Sequence, residues 1–157
     1  MRLVDLPPDG ADWITPVIGA WAPSWRWSTR GRTISPDILR ALVTDKVLRQ
    51  SVVLADGGRV ALLQMVESHS GLVELGVLAD GGRLAEMGPV VEEFVESGFA
   101  ELGVHKMFVT SLRDELDVDT LFGPRARPAG CLVGHERRDE DLYVDLLLYD
   151  VLREGDR

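Results

Sequence analysis

Cysteine occurs once in the 157 residues, at Cys131, so there is no intrachain disulfide framework and the expected setting is a reducing cytoplasm. Histidine occurs three times, at His69, His105 and His135, with no metal-ligand spacing among them or with Cys131, so no metal site is expected. Basic residues are outnumbered 17 to 26 by acidic ones, and the net charge of −9 argues against broad binding to nucleic acid or anionic membrane. No apolar run approaches the roughly 20 residues of a membrane span. The opening "MRLVDLPPDG" carries charges and prolines where a signal peptide has its apolar core. With 45% hydrophobic and 27% charged residues, global disorder is excluded, and a single domain over 1–157 is expected.

What is present is patterned. The heptad "VLADGGR" occurs at Val53–Arg59 and again at Val77–Arg83, in different surroundings. The first copy lies between two β-type runs, "QSVVLA" and "RVALLQMVES", so Asp56-Gly57 reads as a hairpin turn. A turn at "HSG" then leads into "LVELGVLA", which completes a three-stranded meander. The second copy is followed by "LAEMGPVVEEFVESGFAELG", with Val91, Phe94, Val95, Phe99 and Leu102 on one helical stripe. Pro89 suits its first turn and Gly103 its end. "HKMFVTS" comes next as a strand, so the second copy opens a βαβ unit, which imposes parallel pairing.

Upstream, "MRLVDL" reads as an edge strand and Ala11–Ala20 as a short helix. Ser35-Pro36 starts a further helix, running to about Leu48. Downstream, Val118–Phe122 reads as a short helix, "GPRARPAG" as a loop, and "CLVGHERR" and "LYVDLLLYDVLRE" as two final strands. The expected fold class is α/β with a mixed sheet, in the order β-α-α-β-β-β-α-β-α-β-β. The sheet is mostly antiparallel, with one parallel pair between its fourth and fifth strands.

That order, together with "VELGVLA", "FVESGFAELGVHKMFV" and "AGCLVGHERRDEDLYVDLLLYDVLRE", resembles the GCN5-related N-acetyltransferase (GNAT) family. Gly130, Gly134, Tyr143, Asp145 and Tyr149 stand at positions matching the family's closing segment. The resemblance implies transfer of an acyl group, most simply acetyl, from acetyl-CoA or another acyl-CoA to a small-molecule amine or a protein N-terminus. Val77, Leu78, Ala79, Gly82, Arg83 and Gly88 would contact the cosubstrate, the backbone N–H of Leu78 or Ala79 serving the thioester oxygen. Glu74 would be the general base, because acyl transfer requires a neutral amine. Trp25, Trp27 and Arg30, in a segment with three tryptophans and three arginines, would form an aromatic, cationic lip that binds an acidic or planar acceptor. The resemblance also allows a homodimer.

Two departures stand beside these expectations. The family's pyrophosphate loop reads Arg/Gln-x-x-Gly-x-Gly/Ala, whereas "DGGRLAEMGP" is shorter, lacks Gly-x-Gly and carries Glu86. Phe122 stands where the family often has a proton-donating tyrosine; the proton would come instead from Tyr143 or Tyr149, of which Tyr143 is the candidate, or from a water or the ternary complex itself. Cys131 reads as a small core residue. The alternative reading is a GNAT-fold protein without acyl transfer, working as a binding or assembly partner or in other chemistry on a bound metabolite.

Overall fold

A computed structural model describes residues 1–6, 12–29, 33–68 and 71–156. The elements run β1 (Arg2–Asp5), β2 (Ala22–Pro23), α1 (Pro36–Thr44), β3 (Val47–Ala55), β4 (Gly58–Glu67), β5 (Val73–Ala79), α2 (Gly88–Leu102), β6 (Lys106–Leu112), α3 (Val118–Phe122), β7 (Ala126–Arg137) and β8 (Tyr143–Leu152). They form one mixed sheet in the order β1-β3-β4-β5-β6-β8-β7, with β2 laid against β5. Every pairing is antiparallel except β5 with β6, the expected parallel pair.

Local chemistry explains the punctuation. Asp56 and Gly57 have φ of 52° and 81°, which gives the two-residue hairpin turn that matches strand twist. Ser35 Oγ accepts the Ile38 N–H at 3.3 Å and caps α1. Gly103, at φ 64°, closes α2 with its N–H on the Phe99 carbonyl.

Three segments differ from expectation. Asp12–Ala20 forms a 3-10 turn at Asp12–Ile14 and further turns rather than a helix. α1 stops at Thr44 because Lys46 turns left-handed at φ 55° and Val47 already pairs with Val66. The expected "GPRARPAG" loop is strand from Ala126 onward, since Ala126 and Arg127 find partners in Val151 and Asp150 of β8.

The core has two main sides, set by strand alternation. Val73, Leu75, Val77 and Ala79 of β5 face α2 and α3, packing with Met87, Val91, Phe94, Val95 and Phe122. Leu78 faces the other way, into a cluster with Ile14, Trp27, Val43 and Leu62. Glu74 and Gly76 share that second face by the same alternation. Cys131, expected in the core, is exposed. It lies on β7, the outer strand of the sheet, which is exposed from Arg127 to Val133.

Candidate functional site

The site begins where the parallel pair separates. β5 meets β6 only through Val73–Met107 and Glu74–Phe108. Past Glu74 the outer edge of β5 is taken instead by β2, with Pro23 opposite Leu78 and Ala22 opposite Ala79. The next residue extends the contact. Ser24 N donates to the Val77 carbonyl at 2.7 Å, and Val77 N donates to Ser24 Oγ at 2.9 Å. Ser24 is fully buried. Trp25–Trp27 then forms a 3-10 turn seated against both β5 and β6.

Glu74 lies at the wall of a cavity of about 720 Å³ whose lining includes Trp25, Arg26, Leu42, Asp45 and Glu67. Thr110 Oγ1 donates to Glu74 Oε1 at 3.3 Å. Burial raises the Glu74 pKa above the ordinary carboxylate value, against weaker lowering by the Arg26 charge and the Thr110 hydroxyl. The Arg26 guanidinium donates through Nε to Gln64 Oε1 at 3.1 Å and through Nη2 to the Leu42 carbonyl at 2.8 Å. Its own pKa is lowered, chiefly by burial, with Glu74 and Asp45 opposing. Gln64 completes the network, donating to the Leu42 carbonyl and to Gln50 Oε1, each at 3.0 Å. A half-buried carboxylate beside a fixed cation, in a roomy cavity, is suited to accepting a proton from an amine.

The other predicted residues are dispersed. Trp25 lines the cavity, packs edge-on to His135 at 5.8 Å, and donates through Nε1 to Glu136 at 3.4 Å. Trp27 is fully buried in the core under α1, and Arg30 lies outside the described residues, as does His69. Val77 uses its N–H and C=O on Ser24; alternation turns the Leu78 N–H toward β4. Gly82 N donates to Asp80 Oδ1 at 3.0 Å, and Arg83 Nη2 pairs with Asp56 at 3.0 Å and Glu86 at 3.1 Å. The Gly82 N–H and the Arg83 guanidinium are therefore engaged within the protein. The second heptad's arginine reaches the first heptad's aspartate, so the repeats touch. Gly88 is the first residue of α2.

Tyr143 is 56% exposed at the start of β8. Phe108, beside Glu74, lies opposite Asp150; Tyr143 is seven residues along that strand, about 23 Å at ~3.3 Å per residue. The structure does not bring Tyr143 and Glu74 together. Tyr149, opposite Val109, is nearer along the sheet but packs with the α2-side core, on the face opposite Glu74, and burial raises its pKa. Sequence reasoning does not single out Arg26, Gln64, Thr110 or Ser24 as site residues. The signal for Arg26 is its place between Trp25 and Trp27; Ser24 and Gln64 sit in no motif. Among the described residues no group of three or more His, Cys, Asp or Glu is placed to hold a metal ion. Nor is any helix there long and apolar enough to cross a membrane.

No protein-family model matches the sequence, and no curated protein does. Solved structures do match. An N-acetyltransferase from Staphylococcus aureus superposes with a TM-score of 0.73 at 10% identity, over 96% of this chain and 97% of that one. A Streptococcus mutans protein gives 0.72 at 13% identity, over 97% and 99%. A spermidine N-acetyltransferase from Vibrio cholerae gives 0.70 at 14% identity, over 97% and 95%. The chain has the GNAT fold. In GNAT terms β5 and β6 are the diverging strands and α2 the helix between them.

Proposed function

We propose that this protein is an acyltransferase of the GNAT type, moving an acyl group from an acyl-CoA directly to a small-molecule amine. The observation that carries the reading is Glu74: a half-buried carboxylate with a raised pKa, on the cavity wall where the parallel strands part. The amine nitrogen attacks the thioester carbon, its bond to carbon forms and the carbon–sulfur bond breaks. Glu74 takes the amine proton, and the departing thiolate takes one from solvent. Three acidic residues, Asp45, Glu67 and Glu74, line the cavity with two basic ones, Arg26 and Lys46, and this small acidic excess is in keeping with a cationic acceptor. The V. cholerae neighbour is by name a spermidine N-acetyltransferase, and the acceptor class proposed here agrees with it.

Two further points belong to this reading. The exposed single thiol of Cys131 is in keeping with a reducing, cytoplasmic setting. The outer strand β7, with Leu132 57% and Val133 83% exposed, supports pairing with a second copy. Light scattering tests that pairing.

A second reading, a GNAT-fold protein that binds a partner or metabolite without acyl transfer, is favoured by one observation: β2 and Ser24 occupy the edge of β5. Calorimetric titration with acetyl-CoA, coenzyme A and longer acyl-CoAs, joined to a thiol-release assay over a panel of amines, separates the two. Ligand at a hundred times Kd stabilises the fold by about 2.7 kcal/mol. No heat, no thermal shift and no thiol release at millimolar ligand overturn the acyltransferase reading.

A further inference from the structure

We propose that Ala22–Ser24 is a displaceable strap, a built-in third strand that closes the slot between β5 and β6 and must leave before an acyl-CoA arm can enter. The inference rests on the acyltransferase reading and concerns how its cosubstrate gains access.

The outer edge of a strand pairs with one extended chain at a time. Along Val77–Ala79 that edge is already used: Ala22 and Pro23 stand opposite Ala79 and Leu78, and Ser24 holds both the N–H and the C=O of Val77. A coenzyme A arm is an extended chain with two amides, and it needs the same kind of N–H and C=O partners. The two cannot occupy Val77 together.

The strap is also poorly built as a permanent strand. It is two residues long, and at Pro23, opposite Leu78 whose N–H turns toward β4, it makes no ladder bond to β5. Ser24 contributes its hydroxyl, rather than its carbonyl, to Val77 N; its carbonyl accepts the Trp27 N–H at 2.9 Å. Its ends differ in firmness. On one side Gly19 sits left-handed at φ 86°, within a run of turns, and provides a hinge. On the other side Trp27 is fully buried and anchors the chain to Leu62 and Leu78. The moving part is therefore Ala22–Ser24, between Trp21, packed on Trp13, and Trp25, hydrogen-bonded to Glu136.

The protein carries its own reporter. All four tryptophans, Trp13, Trp21, Trp25 and Trp27, lie within fifteen residues of chain around the strap. Displacement changes the surroundings of Trp21 and Trp25 directly. Two proteins, wild type and Ser24→Ala, are titrated with acetyl-CoA and with coenzyme A, following tryptophan emission and heat. Hydrogen exchange at Val77 is read on the wild type alone, so the test survives poor folding of the variant. Removing the hydroxyl weakens the closed state by one hydrogen bond. The expected result is a shift in emission on binding, altered protection of the Val77 amide, and about five-fold tighter apparent binding in the variant. Binding by the variant alone also supports the strap. Binding by both proteins with equal affinity, unchanged emission and unchanged Val77 protection overturns the strap and leaves the acyltransferase reading standing. Binding by neither protein overturns both.

Discussion

Replacing Glu74 by glutamine keeps the side chain's shape, keeps an oxygen to accept the Thr110 hydroxyl now at 3.3 Å, and deletes one negative charge. The change acts on stability and on activity with opposite signs. For stability, burial is the largest influence on Glu74 and it raises the pKa, so the ionised form is a net cost to the fold. The usual value is 4.5, and the folded state holds the proton to higher pH than the unfolded chain. Stability attributable to Glu74 is therefore complete below about pH 4, falls as pH rises through the interval between the two titrations, and stays lowered above it. Each pH unit of displacement is worth about 1.4 kcal/mol. Glutamine escapes that loss. Arg26 loses one countercharge, but it keeps its bonds to Gln64 and Leu42 and the field of Asp45. Urea unfolding is expected to show Glu74→Gln as stable as wild type or more so at pH 7, with the gap closing toward pH 4. For activity, loss of the base should lower kcat/KM by about 100-fold or more and remove the acidic limb of the pH–rate profile. A variant less stable than wild type by more than about 1 kcal/mol at both pH values refutes the burial argument. Activity within ten-fold of wild type refutes the base.

A β-carbon at Gly98 would stand 2.1 Å from Met65 Cε and 2.4 Å from its sulfur, so Gly98→Val should overpack the contact of α2 with the sheet and cost about 1–3 kcal/mol. Thermal melting should show a lowered Tm, and Gly98→Ala should fall between the two, since helix propensity returns about 1 kcal/mol. Arg125, almost wholly buried, pairs with Glu92 and Glu96, whose side chains are 57% and 37% exposed. Arg125→Met should cost only about 1–2 kcal/mol at pH 7, because both carboxylates regain water. The Arg125 hydrogen bond holds Glu96 below the usual carboxylate range, so its contribution is present at neutral pH and lost as pH falls. Denaturation at pH 7 and pH 3 should show the cost of Arg125→Met shrinking; an unchanged cost points to packing alone.

The parts of this fold legible in sequence are those where one residue's chemistry decides a conformation. Asp56-Gly57 must turn because both take positive φ, and the Val91–Phe99 stripe must be a helix that buries one side. The two copies of "VLADGGR" are told apart by the segments after them, a strand in one case and a helix in the other. Glu74 is found through its place in "VELG". The features that escape are set by tertiary contact. β2 is two residues with a proline, so no periodicity announces it; it exists because β5 has a free edge there. Lys46 turns left-handed with no glycine to advertise the turn. Ala126 and Arg127 form strand in a run of prolines and glycines because β8 supplies partners. The cation beside Glu74 is equally hidden, since Arg26, Arg30 and Arg32 look alike in a row and only folding sets Arg26 there.

β5 performs two tasks by alternation, and Gly76 is where they meet. Its residues facing α2, from Val73 to Ala79, are apolar and fix the strand in the core. On the other face stand Glu74, Gly76 and Leu78. A β-carbon at Gly76 would lie 3.1 Å from Arg26 Cδ, 3.2 Å from Gln64 Oε1 and 3.3 Å from Gln64 Cβ. The bare backbone thus leaves a channel across the strand, and the Arg26 stem lies in it. That crossing delivers the guanidinium to Gln64 and Leu42 and sets its charge beside Glu74. Burial alone would push the Glu74 carboxyl further up; the nearby cation restrains it. The glycine of "ELG" therefore acts on the proton affinity of the glutamate two residues before it, through an arginine from a distant segment. The same segment, three residues earlier, closes the edge of β5. Access to the slot and the basicity of its carboxylate are both set by one short stretch, Ala22–Trp27.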